Sequence, residues 1–177
     1  MSPLTLSLAL SLLLSGSNSR SEQFFSSTLT PPEIQSSVRP HSFASQRVTY
    51  RTYSNGRYGF SIAYPLGVLV PQGESENGDG QKFVSKDGSA TMWAYGSHRL
   101  EQSLQDEFQA AQENRTVTYK ILKRDMFVVS GTGNGKIFYR KTLLRGDDFK
   151  TFIIEYDEGE RATFDPITAR VARSLVG

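Results

Sequence analysis

The chain is 177 residues long, contains no cysteine, and carries 20 basic against 18 acidic residues. Without thiols it has no disulfides, thiolate metal sites, cysteine nucleophile or lipid anchor on an N-terminal cysteine. Three basic residues (Arg20, Arg39, Arg47) and two acids (Glu22, Glu33) precede position 48, so the rest carries 17 against 16, too balanced for a phosphate-backbone binder.

Residues 4–14 form an apolar run, shorter than the ~20 residues that span a bilayer core. Small residues around Ser15, Ser17 and Ser19 follow at once. The pattern predicts a secretory signal over residues 1–19, although Met1-Ser2-Pro3 holds no lysine or arginine. Residues 20–47 are rich in Ser, Thr and Pro and show no sustained apolar period. Such a composition buries too little surface to offset the entropy of ordering, so a disordered tether is expected. His41 falls in it, where nothing rigid would hold a catalytic group.

A folded domain is expected over residues 48–177. A first strand near Arg47–Tyr53 turns at Ser54-Asn55-Gly56 into the stretch on which the domain is organised. There Tyr58, Phe60, Ile62 and Tyr64 occupy every second position, the signature of a strand with one bulky apolar face. Pro65 and Gly67 break the ladder, and Leu66, Val68, Leu69 and Val70 are expected in irregular structure capping the core. An acidic, glycine-rich loop, Glu74 to Gly80, precedes a strand pair joined at Asp87-Gly88, which suits the positive φ of a tight hairpin.

Leu100, Leu104, Phe108 and Ala111 recur at helical spacing, with Glu101, Gln105, Asp106 and Gln109 opposite, and predict an amphipathic helix ending near Asn114. Strands follow over Thr116–Lys123, Met126–Ser130, Ile137–Leu144 and Phe149–Tyr156, with a turn at Asn134-Gly135. Asp165-Pro166 reads as the cap and first residue of a closing helix whose Ile167, Val171 and Leu175 share a face. The fold class is α+β: a mostly antiparallel sheet of about six to eight strands packed with two helices.

Chemistry-bearing patterns are sparse. Gly131 to Lys136 lacks the spacing, hydroxyl and following helix of a phosphate loop, and reads as a turn. Glu76, Asn77 and Asp79 offer oxygens that would suit calcium, the one metal site considered, but not at twelve-residue-loop spacing; a polar turn is the plainer reading. His98 is the sole histidine of the folded part, and no serine sits in a Gly-x-Ser-x-Gly elbow. No catalytic residue is assigned; carboxylates are numerous, and Asp79, Asp87, Asp106 and Asp157 are candidates for a paired site. Trp93 and Tyr95, with Tyr139 and Phe152, are candidates for an aromatic recognition patch. For Trp93 and Tyr95 as ligand-binding residues the deciding fact is whether their strand phase turns them away from both helices. Asn114-Arg115-Thr116 is a glycosylation sequon that would be used only in a eukaryotic secretory pathway.

Tyr58-Gly-Phe-Ser-Ile-Ala-Tyr-Pro65, Phe83-Val-Ser-Lys-Asp-Gly88 with the Ala90–Tyr95 strand, and Ile167 to Leu175 together resemble the PsbP and Mog1-like superfamily over about residues 48–176. The resemblance implies an α-β-α sandwich in an exported protein, periplasmic, secreted or in a thylakoid lumen, that binds or assembles rather than catalyses. Its photosynthetic members associate with photosystem II and affect calcium, chloride or manganese retention. This chain departs in lacking an evident lysine-rich docking surface or a metal-ligand cluster. The expectation is an exported, non-catalytic binding or assembly module, monomeric, without nucleic acid or a stable membrane span, whose partner is an unknown protein or small ligand. The alternative is a small exported hydrolase using carboxylates or a serine with His98.

Overall fold

The computed structural model describes residues 48–177. The signal and tether expected over residues 1–47, with His41, lie outside the described residues.

A two-stranded antiparallel ribbon, β1 (Tyr50–Asn55) and β2 (Phe60–Pro65), opens the domain. Alternation holds there as expected: Tyr58, Phe60, Ile62 and Tyr64 are all buried. A seven-stranded sheet follows, built from β3 (Leu69–Glu74), β4 (Gly80–Ser85), β5 (Ala90–His98), β6 (Thr116–Leu122), β7 (Met126–Gly133), β8 (Lys136–Arg145) and β9 (Asp148–Asp157). Their order is β3-β4-β5-β9-β8-β7-β6, with every neighbouring pair antiparallel. Two helices, α1 (Leu104–Ala110) and α2 (Arg161–Ser174), complete it. Among the described residues no helix is long and apolar enough to cross a membrane.

Opposite strand faces feed separate cores. Met92, Ala94, Phe152, Ile154 and Tyr156 pack with the β1–β2 ribbon and with Phe164, Ile167 and Val171 of α2. The alternate residues Phe127, Val129, Phe138 and Phe149 pack under Leu104, Phe108 and Ala111. Period-two strands make both cores possible, because consecutive side chains leave the sheet on opposite sides.

Four local expectations are corrected. Leu69 and Val70, expected in irregular structure, open β3, which runs on to Glu74, the expected start of the loop: the strand is an edge, exposed after Leu69, and bulges between Pro71 and Glu74, so no alternation marks it. Leu100 lies outside α1, at φ 47° and 85% exposed. The helix starts later because Ser103 caps it, accepting from the Asp106 amide while the Asp106 side chain receives the Ser103 amide. α2 begins at Arg161, not after Asp165, and carries Pro166 inside it. An earlier start buries Phe164 against the Tyr156 ring, 5.4 Å between centroids, and leaves Asp165 to accept from the Tyr156 hydroxyl. At the β4–β5 turn Gly88 alone has positive φ, and its amide donates to Ser85 O at 3.0 Å; the Asn134-Gly135 turn has both residues at positive φ.

Candidate functional site

On β5 the even residues Ala90, Met92 and Ala94 are buried toward α2, while Thr91, Trp93 and Tyr95 leave the opposite face and are half-buried. That face also carries α1, but the cluster under α1 is drawn from β7, β8 and β9 and contains neither ring. Trp93 and Tyr95 therefore turn away from α2 and the ribbon and stand beyond the cluster under α1. Tyr139 and Phe152, the other two aromatic candidates, are on the far face, 5.9 Å apart, within the α2-side core. Strand phase divides the four residues into two surface rings and two core rings.

The β3–β4 hairpin completes a groove beside them. Cross-strand register sets Lys82 opposite Trp93 and Gly80 opposite Tyr95. Gly80 admits no larger residue: a Cβ would lie 2.2 Å from Ala94 O and 2.6 Å from Tyr95 Cα. With Gln72, Glu74, Asn77, Asp79 and Gln81, these residues line a depression of about 500 Å³. The structure thus brings Asn77 and Asp79 to Trp93 and Tyr95, whereas Glu76 is exposed on the same turn and does not line the groove.

The wall is fixed from behind by Asn55, which is 3% exposed. Its amide nitrogen donates to Gly78 O at 2.8 Å and to the Tyr53 hydroxyl at 3.0 Å, and its Oδ1 accepts from the Tyr58 amide at 2.8 Å. Tyr53 in turn donates to Glu74 Oε1 at 2.7 Å. Burial pushes the Tyr53 phenol up to about 12, the Asn55 contact opposing and Glu74 adding to the rise, so it remains a donor at neutral pH.

One groove carboxylate, Asp79, is paired with a cation. Arg57 donates to Asn77 O and places Nη1 3.3 Å from Asp79 Oδ1. Lys82 Nζ sits 5.8 Å from the centre of the Trp93 ring, within cation–π range. The Asn77 side-chain amide donates to Asp79 Oδ2. Calcium takes six or more oxygens from flexible turns. Here Asp79 faces a guanidinium and an amide nitrogen, a donor set that does not fit the ion. Among the described residues no three histidine or acidic side chains converge as a metal site.

The hydrolase alternative depends on His98, which closes β5. Its Nδ1 lies 2.7 Å from Asp148 Oδ1, and its ring 5.1 Å from that of Tyr58. Burial works to raise the Asp148 carboxyl, but the hydrogen bonds and charges of His98 and Lys150 outweigh it and hold the group below its usual range. Among the described residues no serine hydroxyl bonds to His98. The four candidate carboxylates are each tied to another partner: Asp79 to Arg57, Asp87 to Ser85 and Ser89, Asp106 to Ser103, Asp157 to Lys136.

Sequence reasoning missed Asn55, Gln72, Glu74, Gln81 and Lys82. A signal existed for Lys82: the turn around Asp87 and Gly88 sets the register that places it across from Trp93. Nothing local marked Asn55, whose Gly78 partner is 23 residues away.

No family model matches the chain, and no curated protein matches it. Among solved structures it is similar to the solution structure of cyanobacterial PsbP (CyanoP) from Synechocystis sp. PCC 6803, with a TM-score of 0.53 and 13% sequence identity. The match covers 75% of this chain and 95% of that one. At that identity the likeness speaks to architecture, and the architecture agrees strand for helix with the α+β class read from the sequence: residues 48–177 have a PsbP-like fold.

Proposed function

We propose that the protein is an exported, non-catalytic binding module whose working surface is the Trp93–Tyr95 groove. One observation carries the reading: two aromatic rings leave the sheet beyond the cluster under α1 and outside it, and a hairpin walls them into a depression of about 500 Å³. Such rings supply large contact area for little lost rotamer freedom. A binding role is further supported by the fold shared with cyanobacterial PsbP, and export by the apolar run and small residues of 4–19. Among the described residues His98 and Asp148 form a pair without a nucleophile, which supports binding over hydrolysis.

The test uses the full chain in its native host. Mass analysis of the exported form is expected to show cleavage after Ser17 or Ser19. Cross-linking from the groove is expected to capture one stoichiometric partner, or a small ligand, that a Trp93→Ala/Tyr95→Ala double variant loses. Retention of that partner by the folded double variant overturns the groove assignment. Ester or glycoside turnover abolished by His98→Ala establishes the hydrolase instead.

A further inference from the structure

The seven-stranded sheet ends in two edges of unlike make. One, β3, is interrupted: it contains Pro71, a Gly73 at φ 93°, and a bulge between Pro71 and Glu74. Such features keep a foreign strand from pairing. The other edge, β6, pairs with β7, and among the described residues nothing pairs with its outer side. It holds neither proline nor glycine. Its register shifts between Val117 and Tyr119, but from Tyr119 to Leu122 it runs without a break, and the Lys123 amide extends it by donating to Met126 O at 2.8 Å. Alternate residues of an antiparallel edge turn their N–H and C=O groups outward, so this stretch presents an open ladder.

Register divides the side chains of that stretch. Lys120 and Leu122 lie opposite Val129 and Phe127, on the α1 face, while Tyr119 and Ile121 lie opposite Ser130 and Val128, on the α2 face. Tyr119 is 55% exposed and Leu122 37%, so an added strand would cover apolar surface as well as backbone. Charge here is one-sided. Residues 114–124 hold Arg115, Lys120, Lys123 and Arg124 and no acid, in a domain whose totals are 17 basic and 16 acidic. Arg115 is paired with Glu155. Lys120 donates to the neutral Gln112 carboxamide, and among the described residues none of Lys120, Lys123 and Arg124 pairs with an acid. A second copy added at this edge would bring those three cations against their own kind, which opposes pairing. A strand of opposite sign would be favoured by the same charges. We infer that β6 is a strand-addition site for an extended acidic segment of a partner protein. The segment pairs along Tyr119–Lys123, sets acidic side chains beside Lys120 and the neighbouring Lys123 and Arg124, and lays apolar ones on Tyr119 and Ile121. β6 is at the opposite edge of the sheet from the hairpin that walls the groove, so this site stands apart from that one.

The full chain is titrated into three fluorescein-labelled peptides of about seven residues: one alternating glutamate with valine, one alternating lysine with valine, and one with proline in place of valine, which resists strand pairing. Fluorescence anisotropy is expected to show the glutamate–valine peptide bound at least tenfold tighter than either control, and weakening as salt rises. With it bound, the outward amides of Tyr119–Leu122 should exchange with solvent at least tenfold more slowly, and those of β3 should not change. Lys120→Glu/Lys123→Glu should cut affinity tenfold or more and turn the preference to the lysine–valine peptide, at an unchanged thermal midpoint. The Trp93→Ala/Tyr95→Ala variant should bind as the wild type does. No binding of the glutamate–valine peptide, equal binding of the proline peptide, binding without slowed exchange in β6, as charge alone would give, or equal affinity in the folded charge-reversed variant each overturns the inference. Loss of binding in the Trp93→Ala/Tyr95→Ala variant places the peptide in the groove and overturns it too. A dimer in sedimentation with those β6 amides already protected gives the edge to a second copy instead.

Discussion

Asn55 shows how one buried amide holds a surface feature. Its carboxamide joins the β1–β2 turn to the β3–β4 turn through Tyr58 N, Gly78 O and the Tyr53 hydroxyl. Truncation leaves a buried donor and acceptor unpaired, each costing ~1–3 kcal/mol. Asn55→Ala is therefore expected to destabilise by about 3 kcal/mol in chemical denaturation; a loss under about 1 kcal/mol would mean that water takes over its bonds. Asp87 gives a second prediction. Hydrogen bonds from the Ser85 hydroxyl, then from the Ser89 amide and hydroxyl, lower its carboxyl from 3.8 to about 2. A group depressed on folding stabilises above its unfolded value and loses that contribution as pH falls through its folded value. The difference in thermal midpoint between wild type and Asp87→Asn should thus be full at pH 5 and shrink between pH 3.8 and 2. A constant difference across that range would show that charge on Asp87 has no part in holding the turn.

α1 and the residue before it make a paired test at the level of elements. Leu104 is 7% exposed on the α1-side core, and Leu104→Ala should cost about 2–4 kcal/mol through lost burial and a residual cavity. Leu100 shares the same spacing but is exposed in a left-handed conformation that disfavours a Cβ. Leu100→Gly should leave stability unchanged or raise it by up to about 1 kcal/mol; a loss comparable to that of Leu104→Ala would return Leu100 to the core. Periodicity made the Leu104, Phe108 and Ala111 face legible, but spacing cannot tell where a helix begins, and Ser103 with Asp106 decides it. β2 and β5 were legible because both bury one face cleanly. β3 was not, because an exposed edge containing Pro71 and a positive-φ Gly73 has no buried face to write into its sequence. Asp165-Pro166 carried a true capping pattern that the burial of Phe164 overrode.

Across the whole molecule the half-readable site and the cooperativity of the fold have one origin, which is that strands distant in sequence pair. Alternation along β5 showed that Trp93 and Tyr95 share a face. Their exposure depends on which strands α1 covers, and β5 meets β9 through the pairing of Trp93 with Ile153, sixty residues on, which no local pattern encodes. The same pairing joins the two cores. β8 sends Ile137 and Leu143 to one and Phe138 to the other; β9 sends Phe152, Ile154 and Tyr156 to one and Phe149 to the other. Neither face can lose its packing while β8 and β9 stay ordered for the opposite face, so residues 48–177 should unfold in a single transition. Backbone circular dichroism and the fluorescence of Trp93, the chain's one tryptophan, are expected to give coincident midpoints. Phe108→Ala beneath α1 and Ile167→Ala on α2 should each move that shared midpoint, by about 3 kcal/mol in stability. Two separable transitions, with Phe108→Ala shifting one and Ile167→Ala the other, would mean that each face folds independently and that the shared strands do not couple them.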